Sequence, residues 1–118
     1  MIPHGVEIFV GVEPIDLRWG FDRLSGIVTE RMGRPPRSGA LFVFFGKRRD
    51  ALRILFADAS GLCLFSKRLD RGTFRPPSVH EAGATSIAID ERVLDDLLDG
   101  IDIETEVKPS RRRAARMH

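Results

Sequence analysis

The residues of this chain best suited to chemistry are cations, and they come in groups. Lys47, Arg48 and Arg49 stand consecutively, and Lys67, Arg68 and Arg71 follow one apolar run later. Like charges this close repel, so the grouping costs free energy unless an anion offsets it. A guanidinium presents a fork of N–H donors that matches phosphate, and cations on turns reach a partner without deforming the elements they join. Arg31, Arg34, Arg37, Arg53 and Arg75 surround the two groups, and Lys108, Arg111, Arg112, Arg113 and Arg116 crowd the C-terminus. The pattern points to a polyanion such as DNA. The plain alternative is a solvated surface whose edge-strand charges prevent aggregation.

Other chemistries find less support. His4, His80 and His118 lie far apart, and none has a second His or Cys at metal-ligand spacing. Cys63 falls in an apolar run, where a thiol is an inert small residue. Asp16, Asp22, Asp50, Asp58 and Asp70 lie near expected element ends, where they could converge on Mg²⁺ for phosphodiester cleavage. Each of them also has an ordinary cap or turn role open to it. A metal-dependent nuclease is therefore an alternative function. Neither GATS at 83–86 nor FFGKRRD at 44–50 matches a phosphate-cradling glycine loop. We expect no cofactor, no metal site and no catalytic residue.

The elements that position these residues follow from apolar spacing. Residues 6–12 read as a short strand ended by Pro14. Leu17, Phe21, Leu24 and Val28 share one face of a helix that starts at Asp16 or near Phe21 and stops at Gly33. Leu41–Phe45 is wholly apolar, as in a strand covered on both faces. A glycine-bearing connection at 46–50 leads to a strand at 51–58, where Leu52, Ile54 and Phe56 oppose Arg53. A turn at 59–61 precedes a third strand at 62–69. Loop follows, in which Asp70 and Arg71 shape a turn and Phe74 anchors its end in the core. A last strand at 85–89 leads to a helix capped by Asp90 and stopped by Gly100. Its acids Glu91, Asp95, Asp96 and Asp99 lie mostly away from its apolar face.

Bulk composition bounds the class. A chain of 118 residues makes one domain, and 42% apolar content supports a packed core. Eight Phe and no Tyr place the aromatic mass inside. One cysteine fits the reducing cytoplasm, though also a secreted protein without bridges. No signal peptide or membrane span is read. The net charge of +2 hides a segregation. Residues 1–80 hold 13 Lys/Arg against 8 Asp/Glu, residues 81–107 hold nine acids and only Arg92, and residues 108–118 hold five cations and no acid. The acidic helix could dock a basic protein or cover the chain's own basic tail.

Four segments carry a family resemblance: DLRWGFDRL at 16–24, SGALFVFFGKRRDALRILFAD at 38–58, GLCLFSKRLDRGTF at 61–74 and IDERVLDDLLDGIDIE at 89–104. In order and spacing the chain resembles the small TnpB-type accessory proteins encoded by the second open reading frame of insertion sequence 66 transposons. Where that pattern usually has Trp or Tyr, Phe56 and Phe65 stand here. The resemblance implies a role in transposition beside a separate, larger transposase, with no established catalytic residue.

Together these readings predict an α+β domain over 1–107 with a flexible basic tail at 108–118. Its antiparallel sheet is a meander of three central strands with short flanking strands. One helix packs on a face and the acidic helix at an edge. The expected function is a non-enzymatic DNA-binding accessory factor, cytoplasmic and without membrane contact, that grips transposon ends or nonspecific duplex through Lys47, Arg48, Arg49, Lys67, Arg68 and Arg71. The alternative is an adaptor that docks on the transposase or other transposon-encoded proteins.

Overall fold

The computed structural model describes residues 5–77 and 82–100. The histidines, the expected domain boundary and the basic tail lie outside the described residues. The element order is β1 (Ile8–Gly11), α1 (Phe21–Glu30), β2 (Leu41–Phe45), β3 (Ala51–Ala57), β4 (Leu62–Arg68), β5 (Ser86–Ile89) and α2 (Glu91–Leu98).

The five strands form one sheet in the order β4-β3-β2-β1-β5. The expected meander is present: β2 pairs β3, and β3 pairs β4, both antiparallel. The sheet as a whole is mixed. β1 pairs β2 in parallel, with Ile8 opposite Leu41 and Val10 opposite Val43, while β5 runs antiparallel to β1. The reason is the helix between β1 and β2, because a strand–helix–strand connection is the usual link between parallel neighbours. The meander is also not central. β2 holds the middle and β4 forms an edge.

Alternation along the strands divides the core in two. On one face Ile8, Val10, Leu41, Val43, Phe45, Leu52 and Ile54 pack with Phe74 and with Leu94 and Leu97 of α2. On the other Phe9, Phe42, Phe44 and Leu55 pack with Leu24 and Val28 of α1. The acidic helix therefore covers a face rather than an edge. Leu94 and Leu97 are fully buried, and Asp96 is buried beside them instead of joining a solvated face.

Local chemistry sets the helix ends. Gly20 is extended, and no side chain caps α1, so the helix begins at Phe21 and not at Asp16. The Asp90 carboxylate accepts a hydrogen bond from the Val93 N–H at 2.9 Å, as expected of an N-cap. At the other end of α2, Gly100 adopts a φ of 77° and donates its N–H to the Leu97 carbonyl. The Lys67 ammonium donates to the Leu98 carbonyl at 2.6 Å. A cation on a helix's last carbonyls satisfies an orphan acceptor and opposes the helix dipole.

Phe74 has no exposed surface and meets Phe45 at 5.9 Å between ring centroids. Phe74→Ala is expected to lower the unfolding free energy by about 3–5 kcal/mol, as for other buried Phe truncations, read by urea denaturation.

The β3–β4 turn generates a second expectation. The Asp58 carboxylate accepts from the Ser60 N–H and hydroxyl and from the Gly61 N–H. The Ser60 N–H foremost, then the Cys63 thiol, the Gly61 N–H and the Ser60 hydroxyl, hold its carboxyl below the usual aspartate range. Its contribution is thus complete above the unfolded value, near pH 4, and is lost as pH falls through the lower folded value. Wild type should lose melting temperature across that acid window, whereas Asp58→Ala should melt lower at neutral pH and respond less to acid.

Candidate nucleic-acid interface

The candidate site is built at one end of the sheet. The C-termini of β1, β2 and β4 and the N-termini of β3 and β5 all fall there, as the pairing directions require. Both cationic groups of the sequence therefore meet at this end. The tight connection from β2 to β3 closes through the Gly46 N–H to the Ala51 carbonyl at 3.1 Å and the Arg49 N–H to the Gly46 carbonyl at 3.0 Å.

Arg49 has a φ of 60°, and every other described residue with positive φ is glycine. That conformation costs a side-chain-bearing residue about 1–2 kcal/mol. Neighbouring backbone holds it. The Phe74 N–H donates to the Arg49 carbonyl at 2.6 Å, and the Leu69 N–H donates to the Asp50 carbonyl at 2.8 Å. These bonds fasten the 69–75 loop to the turn, and the buried Phe74 ring anchors them. Arg71 and Arg75 are thereby carried to the end that bears Lys47, Arg48 and Arg49.

The cations then separate by role. Lys47, Arg48, Arg49, Arg71 and Arg75 are exposed, and among the described residues no carboxylate makes a salt bridge with any of them. Arg68 is exposed and lies 3.4 Å from the Asp50 carboxylate. Lys67 stands at the same end, but its side chain turns away from the group. It faces α2, where it donates to Leu98. Strand alternation turns Lys67 and Arg68 to opposite faces, a signal already present in the period-two pattern of the sequence. Arg31 pairs with Glu13 at 2.8 Å, and the Arg34 guanidinium sits 3.7 Å from the centroid of the Phe9 ring. Arg53 donates to the Trp19 carbonyl at 2.8 Å.

A cleft of about 370 Å³ opens between these loops, lined by Gly11, Glu13, Gly46, Lys47, Arg49, Arg75 and Pro77 among others. Arg75, outside the expected site set, belongs to its cationic wall. The wall's acid, Glu13, carries the Arg31 ion pair.

Three of the five acids considered for metal chemistry, Asp16, Asp50 and Asp58, are engaged by neighbouring donors. Asp16 receives the Arg18 side chain at 2.6 Å and its backbone N–H at 2.9 Å. The Arg18 side chain, then its N–H, holds the Asp16 carboxyl well below the usual range, and Lys47 adds to the effect. Asp50 and Asp58 occupy opposite ends of β3. Among the described residues no group of three or more His, Cys, Asp or Glu side chains is placed to hold a metal ion. Partial burial, and then the Asp58 carboxylate that its Sγ meets at 3.4 Å, push the Cys63 thiol upward and keep it protonated. Among the described residues no helix is long and apolar enough to cross a membrane.

The geometry defines a small mixed-sheet α+β protein with a cationic rim of turns at one end. A family model described as IS66 Orf2-like protein matches residues 6–108. The chain is 43% identical over 104 residues to the uncharacterized protein y4hO of Sinorhizobium fredii, covering 86% of this chain and 88% of that one. It is 36% identical over 99 residues to the uncharacterized protein y4jC of the same organism, covering 84% and 82%. No solved structure matches. The chain belongs to the IS66 Orf2-like family, and its role is that of an accessory protein associated with transposition.

The strained turn gives a test of its own. Arg49→Gly removes the left-handed penalty of about 1–2 kcal/mol and adds about 0.5–1 kcal/mol of glycine's unfolded-state entropy. A net stabilisation of up to about 1.5 kcal/mol is expected in equilibrium denaturation.

Proposed function

We propose that this protein is a non-enzymatic DNA-binding accessory factor in transposition, gripping backbone phosphates with the rim of Lys47, Arg48, Arg49, Arg71 and Arg75. Arg68 joins it where a phosphate displaces Asp50. One observation carries the proposal: five exposed cations, with no salt-bridging carboxylate among the described residues, converge on one end of the sheet. Their mutual repulsion is offset when phosphates lie among them. The fold could satisfy the same turns with neutral polar residues, so the charge exceeds what the connections require.

Contacts of this kind position a duplex and read little of its sequence. Base readout in the major groove calls for a helix or ribbon that presents side chains to base edges. The rim consists of turns, so binding should vary little among unrelated sequences. Lys67 is left out of this set because its ammonium is engaged at the end of α2.

The experiment is a salt titration of duplex binding. Each phosphate contact contributes a slope of about −0.9 in log affinity against log salt. Replacing Lys47, Arg48 and Arg49 together with Gln keeps the turn's length and polarity. The slope should flatten by roughly 2–3 units, equally for transposon-end and unrelated DNA, while stability moves by less than about 0.5 kcal/mol. An unaltered slope removes these three residues from the interface. A wild-type protein that binds no duplex at low salt but is retained by the transposase would replace this proposal with the adaptor role.

A further inference from the structure

We infer that Phe21 and Trp19 form a base-stacking platform, so that the DNA this protein holds is single-stranded where it crosses α1. The inference rests on the DNA-binding proposal and names the form of DNA.

Phe21 is 46% exposed, the one exposed large apolar side chain among the described residues. It opens α1, whose Leu24 and Val28 are fully buried, yet about half of its own surface stays open to solvent. Trp19 lies two residues earlier and is half-buried. The Arg23 guanidinium sits 4.6 Å from the centroid of its ring, and Arg53 fixes its carbonyl at 2.8 Å. Two aromatic rings and a stacked guanidinium thus share one short, held segment.

The segment adjoins the cationic turn. The Ile15 N–H donates to the Phe45 carbonyl at 2.8 Å, and Ile15 bridges to Gly46 in parallel. A Cβ at Gly46 would stand 3.0 Å from Leu17 Cγ and Cδ1, so glycine lets the two loops lie against each other. Lys47 is close enough to act on the Asp16 carboxyl.

The charges of residues 16–23 cancel, since Asp16 and Asp22 balance Arg18 and Arg23. This segment draws no anion by itself. It offers ring faces, while the neighbouring turn offers charge. A duplex keeps its bases stacked inside and offers an exposed ring no free base face unless a step is pried open. Unpaired bases have free π-faces, and stacking on aromatic rings next to a basic track is how single strands are held without sequence preference.

Trp19 is the sole tryptophan, so its emission reports on the platform directly. The full chain is titrated with labelled oligothymidine and with a duplex of equal length at matched salt, reading anisotropy and Trp19 emission. The single strand should bind more tightly and quench Trp19. Phe21→Ala should weaken single-strand binding roughly 5- to 150-fold, the range for one lost base stack. Duplex binding and the salt slope should stay unchanged, and Phe21→Tyr should restore the single-strand affinity. Phe21 is exposed, so the variant should keep the wild-type melting curve. Equal affinity for both DNA forms, or equal weakening of both by Phe21→Ala, overturns the platform and leaves phosphate binding standing. Absence of any DNA binding, with transposase retention that depends on Phe21, overturns both proposals and makes the ring a protein contact.

Discussion

Burial of β2 on both faces and pairing on both its edges is the constraint from which the rest follows. Leu41, Phe42, Val43, Phe44 and Phe45 are all buried. An apolar strand of that kind needs a neighbour on each side to satisfy its backbone and a covering layer on each face. β1 and β3 supply the neighbours, and α1 and α2 lie over opposite faces. With both faces occupied, the sheet's surface for partners is confined to its edges and ends. Polar side chains that must reach a partner collect on the connections, and at one end two hydrogen-bonded loops carry the cations.

Charge at that end is sorted by what each side chain touches. Lys67 closes a helix, Arg68 answers Asp50, Arg31 answers Glu13, and Arg34 lies on an aromatic ring. Exposed pairs of this kind contribute little stability each, about 0–1 kcal/mol. They matter more for what they remove from the surface: acids that would repel a phosphate, and cations that would compete for it. The five that remain lie on two loops stitched together by the Phe74 and Leu69 amides. Their convergence is therefore a property of the hydrogen-bonded turns and not of the cations themselves.

Most of the elements could be read from sequence because their signals are local. The all-apolar run at Leu41–Phe45, the alternation of Leu52, Ile54 and Phe56 against Arg53, and the Asp90 cap each depend on a few neighbouring residues. The burial of Phe74 was legible for the same reason. What escaped is long-range. The parallel pairing of β1 with β2 was encoded in the order strand, helix, strand, but the conspicuous hairpins drew the sheet toward an antiparallel reading. The place of α2 over a face depends on how far the loop after β4 returns the chain, which no short window contains. Asp96 escaped because helical periodicity marks a stripe and not the width of the groove that receives it. At the site, the charges were legible and their sorting was not. Lys67 and Arg68 are adjacent in sequence and opposite in space, and Arg75 joins the rim only through the fold-back at Phe74.

The turn and the aromatic segment are bound to the same rigid support, and that bears on how a partner would be held. Ile15 bonds to Phe45, the last residue of the most deeply buried strand, and Gly46 follows directly. The Arg49 backbone is fixed by Phe74, whose ring packs on Phe45. One residue thus anchors the loop with Trp19, the turn with Arg49 and the loop with Arg71. A surface whose parts share an anchor loses little backbone entropy when a ligand arrives, and side-chain ordering becomes the main conformational cost. Five long, flexible cations still pay that cost. Arg49, held in a conformation usually left to glycine, has its backbone aimed in advance, and strain of that kind persists where the surrounding structure over-determines it. The strained arginine and the buried phenylalanine beneath it are therefore two parts of one device: the core fixes the direction in which the charge points.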